Sequence, residues 1–161
     1  MREGYDTAQV CLNGHVIAST AGSNPQFHKS FCDKCGEKTT MVCLECNSQI
    51  QGHYHVPGVI GFFDYDAPNF CHNCGQPFEW TKRAIGAAEQ LASDDESLEE
   101  NEYEQFKIDI REITRESPQA RASANRLKKL FGKMTVGTSS AIRDILVEIA
   151  SEAAKKMIWP G

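Results

Sequence analysis

The sequence predicts a small α+β protein, in which an N-terminal double zinc-ribbon-like module of short β-hairpins precedes an α-helical C-terminal region. Two observations predict this class. All seven cysteines lie in the first half of the chain, in pairs with metal-ligand spacing. The second half consists largely of helix formers, with apolar residues at helical spacing. We therefore expect residues 1–80 to form the two-zinc module and residues 81–161 to form the helical region.

Four pairs of potential metal ligands punctuate the first half. In a Cys-x-x-Cys knuckle, two sulfurs face one side of a tight turn, and the residue after the second cysteine often adopts a positive φ. Gly36, Asn47 and Gly75 follow three of the pairs, and Gly14 lies inside the first. The eight predicted metal ligands are Cys11, His15, Cys32, Cys35, Cys43, Cys46, Cys71 and Cys74.

Eight ligands predict two Zn²⁺ ions per chain. Sequential pairing joins the first pair to the second across 16 residues, and the third to the fourth across 24 residues. Both gaps suit a ribbon, so this arrangement is favoured. Two alternatives stay open: a cross-brace of first with third and second with fourth, and a site from the two middle pairs, which are only 7 residues apart.

Disulfides are the competing explanation for paired cysteines, but disulfide frameworks belong to secreted chains. The segment from Met1 to Val10 is polar and lacks the apolar stretch of a signal peptide. No apolar run approaches the roughly 20 residues that a membrane span needs. We therefore expect a cytoplasmic location, in which the cysteines stay reduced and hold zinc.

Short strands are expected between the ligand pairs. A strand begins at Val16 and is broken by residues 22–25, residues 48–56 alternate weakly, and residues 59–63 are predicted as a short buried strand. These segments contain little apolar material. Zinc coordination, worth about 10–16 kcal/mol for a structural site in peptides, is therefore expected to supply much of the stability of the module.

One constellation in the module indicates an alternative, catalytic use. His53 and His55 point to one face of a strand, and Asp64 and Asp66, at the same spacing, can complete a hydrolytic metal site. We favour a polar face of a ribbon loop, because no nucleophile or further ligand is identifiable.

Two further metal assignments are disfavoured. His28 lies near Cys32 but is expected outside the metal sites, because four ligands are already available without it. The segment from Cys71 to Cys74 lacks the preceding proline and the upstream His-x-Glu of zinc deaminases, so that enzyme class is excluded.

Four helices are predicted, at about 81–92, 100–116, 118–131 and 140–158. Thr81 is expected to cap the first, Ser117-Pro118 to open the third, and Ser139 or Ser140 to cap the last. The last helix has a broad apolar stripe, which we expect to pack mainly against the other helices, with some of it left exposed as a contact surface. The stripe comprises Ile142, Ile145, Leu146, Ile149, Ala150, Ala153, Met157 and Ile158.

The formal net charge of −5 hides a gradient along the chain. Residues 1–80 hold 4 Lys/Arg against 8 Asp/Glu, residues 81–105 hold 2 against 8, and residues 106–161 hold 11 against 6. An acidic zinc module is not expected to grip a phosphate backbone. The acidic segment 94–104 and the basic helix are expected to attract one another. The basic residues are Arg121, Arg126, Lys128, Lys129 and Lys133.

The order of motifs along the chain resembles that of a known protein family. Cys-Leu-Asn-Gly-His-Val-Ile, Phe-Cys-Asp-Lys-Cys-Gly, Cys-Leu-Glu-Cys and Cys-His-Asn-Cys-Gly are followed by a tail with Ala-Asn-Arg-Leu-Lys-Lys. This order is similar to that of a bacterial family of uncharacterised zinc-ribbon proteins, and the resemblance covers most of the chain. It implies a bacterial, cytoplasmic protein and supports the eight metal ligands. It implies no activity, because knuckles are specific for zinc and not for function.

Three classes of function stay open. We favour a zinc-stabilised, non-enzymatic binding or adaptor protein that contacts a protein partner, or another copy of itself, through its C-terminal helices. The second class is a nucleic-acid-binding regulator that uses the basic helix 119–133, and the acidic module disfavours it. The third is a metal-dependent hydrolase around His53, His55, Asp64 and Asp66, which the missing catalytic groups disfavour.

Overall fold

The structure is a computed structural model that describes residues 3–61 and 64–161. The chain divides into two compact units, Met1–Lys82 and Arg83–Gly161. The first holds short antiparallel strands and all the cysteines, and the second holds helices. The predicted α+β class, with strands and cysteine clusters preceding a helical region, is confirmed.

The strands of the first unit form two small antiparallel sheets. One pairs the first strand with the fifth, so that Tyr5 lies opposite Tyr54 with ring centroids 4.8 Å apart. In the other, the second strand lies between the third and the fourth. The strands are β1 (Gly4–Thr7), β2 (Gln9–Cys11), β3 (Val16–Ala18), β4 (Thr39–Thr40) and β5 (Gln51–His55).

A glycine fixes the position of β5 within this unit. The backbone N–H of His53 donates a hydrogen bond to the carbonyl oxygen of Ser19 at 2.9 Å. A Cβ on Gly52 would lie 2.1 Å from that same oxygen. Any larger residue at position 52 would therefore displace the backbone that holds β5.

The strand expected to begin at Val16 is confirmed, and the weakly alternating residues 48–56 contain β5. The buried strand predicted at 59–63 is wrong over its described residues, 59–61, which form no strand. Val59 and Ile60 are 54% and 101% exposed. The cause is a tight turn before them, in which Gly58 has φ 80° and the Val59 N–H donates to Val56. Phe62 and Phe63 lie outside the described residues.

The first unit has a small apolar core. Phe78 and Trp80 stack with ring centroids 4.5 Å apart, and the indole N–H of Trp80 donates to the carbonyl of Pro68 at 2.9 Å. Gly14 allows the close approach of Trp80, since a Cβ there would lie 3.1 Å from the Trp80 Cβ. The buried members of this core are Ala8, Val10, Cys43, Ile50, Cys71, Phe78 and Trp80.

Five helices follow, where four are predicted. The helix predicted at 140–158 is two helices, because Ser151 interrupts it. The Ser151 N–H donates to the carbonyl of Ile113 at 2.8 Å, and its hydroxyl caps a new helix by accepting the Ala154 N–H. The helices are α1 (Glu79–Ser93), α2 (Glu100–Glu112), α3 (Ala120–Lys133), α4 (Val136–Leu146) and α5 (Glu152–Ile158).

Two residues predicted to cap helices form other hydrogen bonds instead. Thr81 lies inside α1, where its buried hydroxyl donates to the carbonyl of Asn69 at 3.0 Å instead of capping the helix. Ser117 does not cap α3, because Ser117 and the following proline form a turn in which the Ala120 N–H donates to the Ser117 carbonyl.

The start of α4 depends on a residue far away in sequence. It begins at Val136, before the predicted caps Ser139 and Ser140. The buried carboxylate of Asp95 accepts both the N–H of Thr135, at 3.1 Å, and its hydroxyl, at 2.9 Å. Two hydrogen bonds from Ser97, and after them the bond from the Thr135 hydroxyl, hold the pKa of Asp95 well below its ordinary value. An anion therefore caps this helix N-terminus from 40 residues away.

The apolar stripe that we expect to be partly exposed is mostly buried. Ile142 and Leu146 are completely buried, Ile145 and Met157 are partly buried, and only Ala153 of the stripe is exposed. The expected packing against the other helices is therefore confirmed for most of the stripe. The interruption at Ser151 turns α5 back toward α3, which packs against it, and the stripe becomes the core of the unit. Among the helices of the described residues, none is long and apolar enough to cross a membrane.

Ion pairs join α2 to α3. The guanidinium of Arg126 donates to both carboxylate oxygens of Asp109, with a shortest distance of 2.7 Å, and Asp109 is buried. Lys133 pairs with Glu102 at 2.6 Å. The second pair links the acidic segment 94–104 to the basic helix within one chain, as the charge pattern predicts.

Replacing Arg126 by leucine is expected to destabilise the helical unit. The buried carboxylate of Asp109 would retain the Gln105 amide, at 3.2 Å, but no cation. Because the Arg126 side chain is 47% exposed, we expect a loss of about 2 kcal/mol in the free energy of unfolding, less than for a fully buried pair. Lys129→Leu is the matched control, since Lys129 is exposed on the same helix. Urea denaturation should show a larger loss of unfolding free energy for Arg126→Leu than for Lys129→Leu. An equal loss in both variants would show that the ion pair does not stabilise the unit.

Candidate metal centres

The first metal-ligand group joins the first two ligand pairs. It contains Cys11 and His15, which flank the turn after β2, and Cys32 and Cys35. The Cys11 sulfur lies 3.5 Å from Nδ1 of His15 and 3.7 Å from the Cys35 sulfur. The Cys32 sulfur lies 3.6 Å from the same His15 nitrogen. Three sulfurs and one imidazole nitrogen therefore converge on one point.

The second group joins the last two pairs. The Cys43 sulfur lies 3.8 Å from that of Cys74, and the Cys46 sulfur lies 3.6 Å from that of Cys71. In both groups all four ligand atoms lie within 4.8 Å of one another. The grouping is that of the sequential arrangement, and neither the cross-brace nor the middle-pair site is formed.

These separations fit a tetrahedral ion. Zn–S bonds of about 2.3 Å at tetrahedral angles place two sulfurs about 3.8 Å apart. A disulfide would place them about 2.05 Å apart, and all seven cysteines are free. Each group therefore matches the size of a metal coordination shell. The sulfur and nitrogen donors are those preferred by zinc among common protein metals.

One backbone turn is used at each Cys-x-x-Cys pair. The N–H of Gly36 donates to the Cys32 carbonyl at 2.8 Å, and Asn47 and Gly75 do the same to Cys43 and Cys71. The three donors have φ of 74°, 61° and 73°. The predicted positive φ is confirmed, including Asn47, the one non-glycine with this conformation among residues 3–61 and 64–161.

Strand-like pairing closes each of these three turns. Phe31 bridges to Lys38, Val42 to Gln49, and Phe70 to Pro77. In every case the residue before the first cysteine pairs with the residue seven positions later. The knuckle is thus a small hairpin whose tip presents two sulfurs on one side.

Two asparagines that the sequence analysis does not single out as functional donate to metal-ligand sulfurs. The side-chain amide of Asn13 lies 3.5 Å from the Cys35 sulfur, and that of Asn73 lies 3.6 Å from the Cys46 sulfur. Each asparagine stands two residues after the first cysteine of its own pair and reaches across to the second cysteine of the other pair. This shared spacing is the sequence signal that could have identified them.

Hydrogen bonds lower the pKa of one thiol in each group. The backbone of Glu37 and then the amide of Asn13 lower the pKa of Cys35 to about 6. Ser48, through its side chain and backbone, and then Asn73 lower the pKa of Cys46 to about 6. Burial, in contrast, raises the pKa of Cys11. Each group therefore contains one sulfur whose surroundings favour the anionic form that binds metal.

The structure does not form the predicted hydrolase alternative. Among the described residues, the groups of His, Cys, Asp and Glu that could hold a metal are the two cysteine groups, and His53, His55, Asp64 and Asp66 do not form a third. His28, which is expected outside the metal sites, bonds instead through Nε2 to the carbonyl of Ala21 at 2.7 Å.

The basic helix is partly neutralised. Arg126 and Lys133 are held by Asp109 and Glu102. A phosphate backbone would compete with these carboxylates for both cations. The geometry therefore gives no support to nucleic-acid binding through helix 119–133.

Comparison with known proteins gives one match. The model of a family described as "Uncharacterized protein conserved in bacteria (DUF2321)" matches residues 4–158. No curated protein and no solved structure matches the chain significantly. The match confirms the resemblance to an uncharacterised bacterial family, and the two ligand groups are compatible with zinc-ribbon knuckles.

Asn73→Ala is expected to speed metal release from the second group, because the Cys46 sulfur loses an N–H donor that stabilises its charge. Outer-shell substitutions cost roughly tenfold or more in metal affinity, and we expect a similar change in the rate of zinc transfer to a chromogenic chelator. Asn13→Ala should act in the same way on the first group.

His72→Ala is the control for that experiment, since His72 is an exposed neighbour of Asn73 in the same turn. Its release rate should equal that of the unaltered chain. Equal rates for the Asn73 and His72 variants would show that the amide–sulfur contact does not stabilise the bound ion.

Proposed function

Because the chain belongs to this uncharacterised bacterial family, whose description names no activity, we propose its function from its own geometry: a zinc-stabilised, non-enzymatic binding or adaptor protein. The observation that carries the proposal is the closure of both metal-ligand groups. Each supplies four protein ligands at the separations of a tetrahedral shell. A catalytic zinc keeps one position for water or substrate, whereas a structural zinc is enclosed by four protein ligands.

We propose that each group holds one Zn²⁺. The donor set of three sulfurs and one nitrogen, and that of four sulfurs, are both typical of structural zinc sites. The bound ions would supply much of the folding free energy that a larger hydrophobic core would otherwise supply to the first unit. Reduced thiols are required for this role, which fits a cytoplasmic location.

We place the partner contact on the helical unit, because this unit offers grooves of sufficient size. One groove, between α3 and α5, has a volume of about 400 Å³ and includes Pro118, Ala153 and Met157. Another, beside α4 and α5, has about 430 Å³. One groove of the first unit, beside Leu44 and Trp80, has only about 10 Å³, too little for a side chain.

Lysine cross-linking in a bacterial lysate tests this assignment with the full, zinc-loaded chain. Exposed lysines occur on both units, so the lysines of the first unit serve as a control for those of the helical unit in the same sample. We expect partner proteins to cross-link to Lys128, Lys129 and Lys156, and not to Lys34 or Lys38. The sites are identified by mass spectrometry of the linked peptides. Cross-links confined to Lys34 and Lys38, or no cross-linked protein at all, would contradict the proposal.

A further inference from the structure

We propose that the groove beside α4 and α5 binds an acidic peptide segment of a partner protein, with an apolar side chain of that segment placed against Trp159. This inference rests on the proposed function, and it adds the chemistry of the partner. It follows from the groove's lining, its charge and its aromatic wall.

The turn between α4 and α5 creates the groove. Arg143 lies on α4, Lys155 and Lys156 lie on α5, and the interruption at Ser151 brings the two helices to the sides of one cavity of about 430 Å³. A single helix over 140–158 could not enclose such a space. The lining residues are Arg143, Val147, Lys155, Lys156, Trp159, Pro160 and Gly161.

The lining carries three cations and no carboxylate side chain. Lys155 is paired with Glu152 at 2.8 Å on the same helix, where Glu152 is 75% exposed. Within the described part of the chain, neither Arg143 nor Lys156 has an ion-pair partner. Elsewhere in the unit, Arg126 and Lys133 are matched by acidic residues. Two cations of the groove, Arg143 and Lys156, are therefore free to form ion pairs with an external anion.

An aromatic side chain gives the groove its apolar wall. Trp159 is partly buried and stacks on Phe131, with ring centroids 5.8 Å apart and an interplanar angle of 20°. This contact holds the indole in place, so that little conformational entropy is lost when a ligand packs on it. Val147 adds a second apolar group. A ligand that combines carboxylates with an apolar side chain complements both parts of the lining.

Charge and size favour a peptide over nucleic acid. The whole chain carries a formal net charge of −5, and bound zinc would not reverse the negative sign of thiolate-rich sites. An extended polyanion requires cations along its length. A groove of about 430 Å³ holds only a few side chains, so a short acidic segment needs only the local positive charge of Arg143 and Lys156.

The test uses the full, zinc-loaded chain and a fluorescein-labelled peptide of Asp and Glu residues with a central leucine. Fluorescence anisotropy measures its binding. We expect Arg143→Glu combined with Lys156→Glu to weaken binding by about tenfold or more, because two attractions become repulsions. Lys128→Glu combined with Lys129→Glu is the matched control. It reverses the same number of exposed cations on α3, outside the groove, and should change binding much less.

Two further probes distinguish the alternatives. A peptide in which glutamine replaces the central leucine should bind more weakly, and an oligothymidylate of equal charge should bind more weakly than the original peptide. Equal binding of the leucine and glutamine peptides would overturn the apolar contact. Tighter binding of the oligothymidylate, or equal losses in the groove and control variants, would overturn the acidic-peptide assignment.

Failure of this inference is distinguishable from failure of the proposed function. If only the inference is wrong, the chain altered at Arg143 and Lys156 will retain its partner cross-links at Lys128 and Lys129. If the proposed function is wrong, the unaltered chain gives no such cross-links, whatever the peptide does. Circular dichroism melting of each variant confirms that the helical unit is folded in both experiments.

Discussion

The first unit is organised around two points, at each of which four potential ligand atoms converge. Its apolar core consists of a few side chains around Ile50, Phe78 and Trp80, so little apolar surface is buried for a unit that spans Met1–Lys82. In our account two bound ions supply the missing stability. The turns around Gly36, Asn47 and Gly75 position the cysteine sulfurs. The strands between these turns are short. The side-chain amides of Asn13 and Asn73 donate hydrogen bonds to the sulfurs of Cys35 and Cys46 from outside the two ligand groups.

The helical unit is stabilised differently, by an apolar core fixed in register by buried carboxylates. Asp95 caps the start of α4, and Asp109 holds Arg126 of α3. Because α4 ends at Leu146 and Ser151 caps the start of α5, the apolar stripe folds into this core. The same interruption brings Arg143 and Lys156 to one groove. The turn between α4 and α5 therefore both buries most of the apolar stripe and forms the groove.

The sequence was sufficient where short-range chemistry determines the structure. Knuckle spacing predicted which cysteine and histidine side chains lie together, and the positive φ of Asn47 followed from its position after Cys46. Sequence reasoning failed where distant groups decide the outcome. The bond from Ser151 to Ile113 splits a helix that periodicity makes continuous, and Asp95 starts α4 before its predicted caps. The segment at 59–61 has strand-like composition, but among residues 3–61 and 64–161 no strand or core residue covers Val59 and Ile60.

Hydrogen exchange measured with and without bound metal tests the central claim most directly. The chain is compared as purified and after removal of metal by a chelator under reducing conditions, with metal content determined in both samples. The account predicts that the knuckle amides of Gly36, Asn47 and Gly75 lose their protection when the metal is removed, while amides within α2 and α3 keep theirs. Undiminished protection of the knuckle amides in the metal-free chain would contradict it, because the hydrogen-bonded turns would then be stable without coordination.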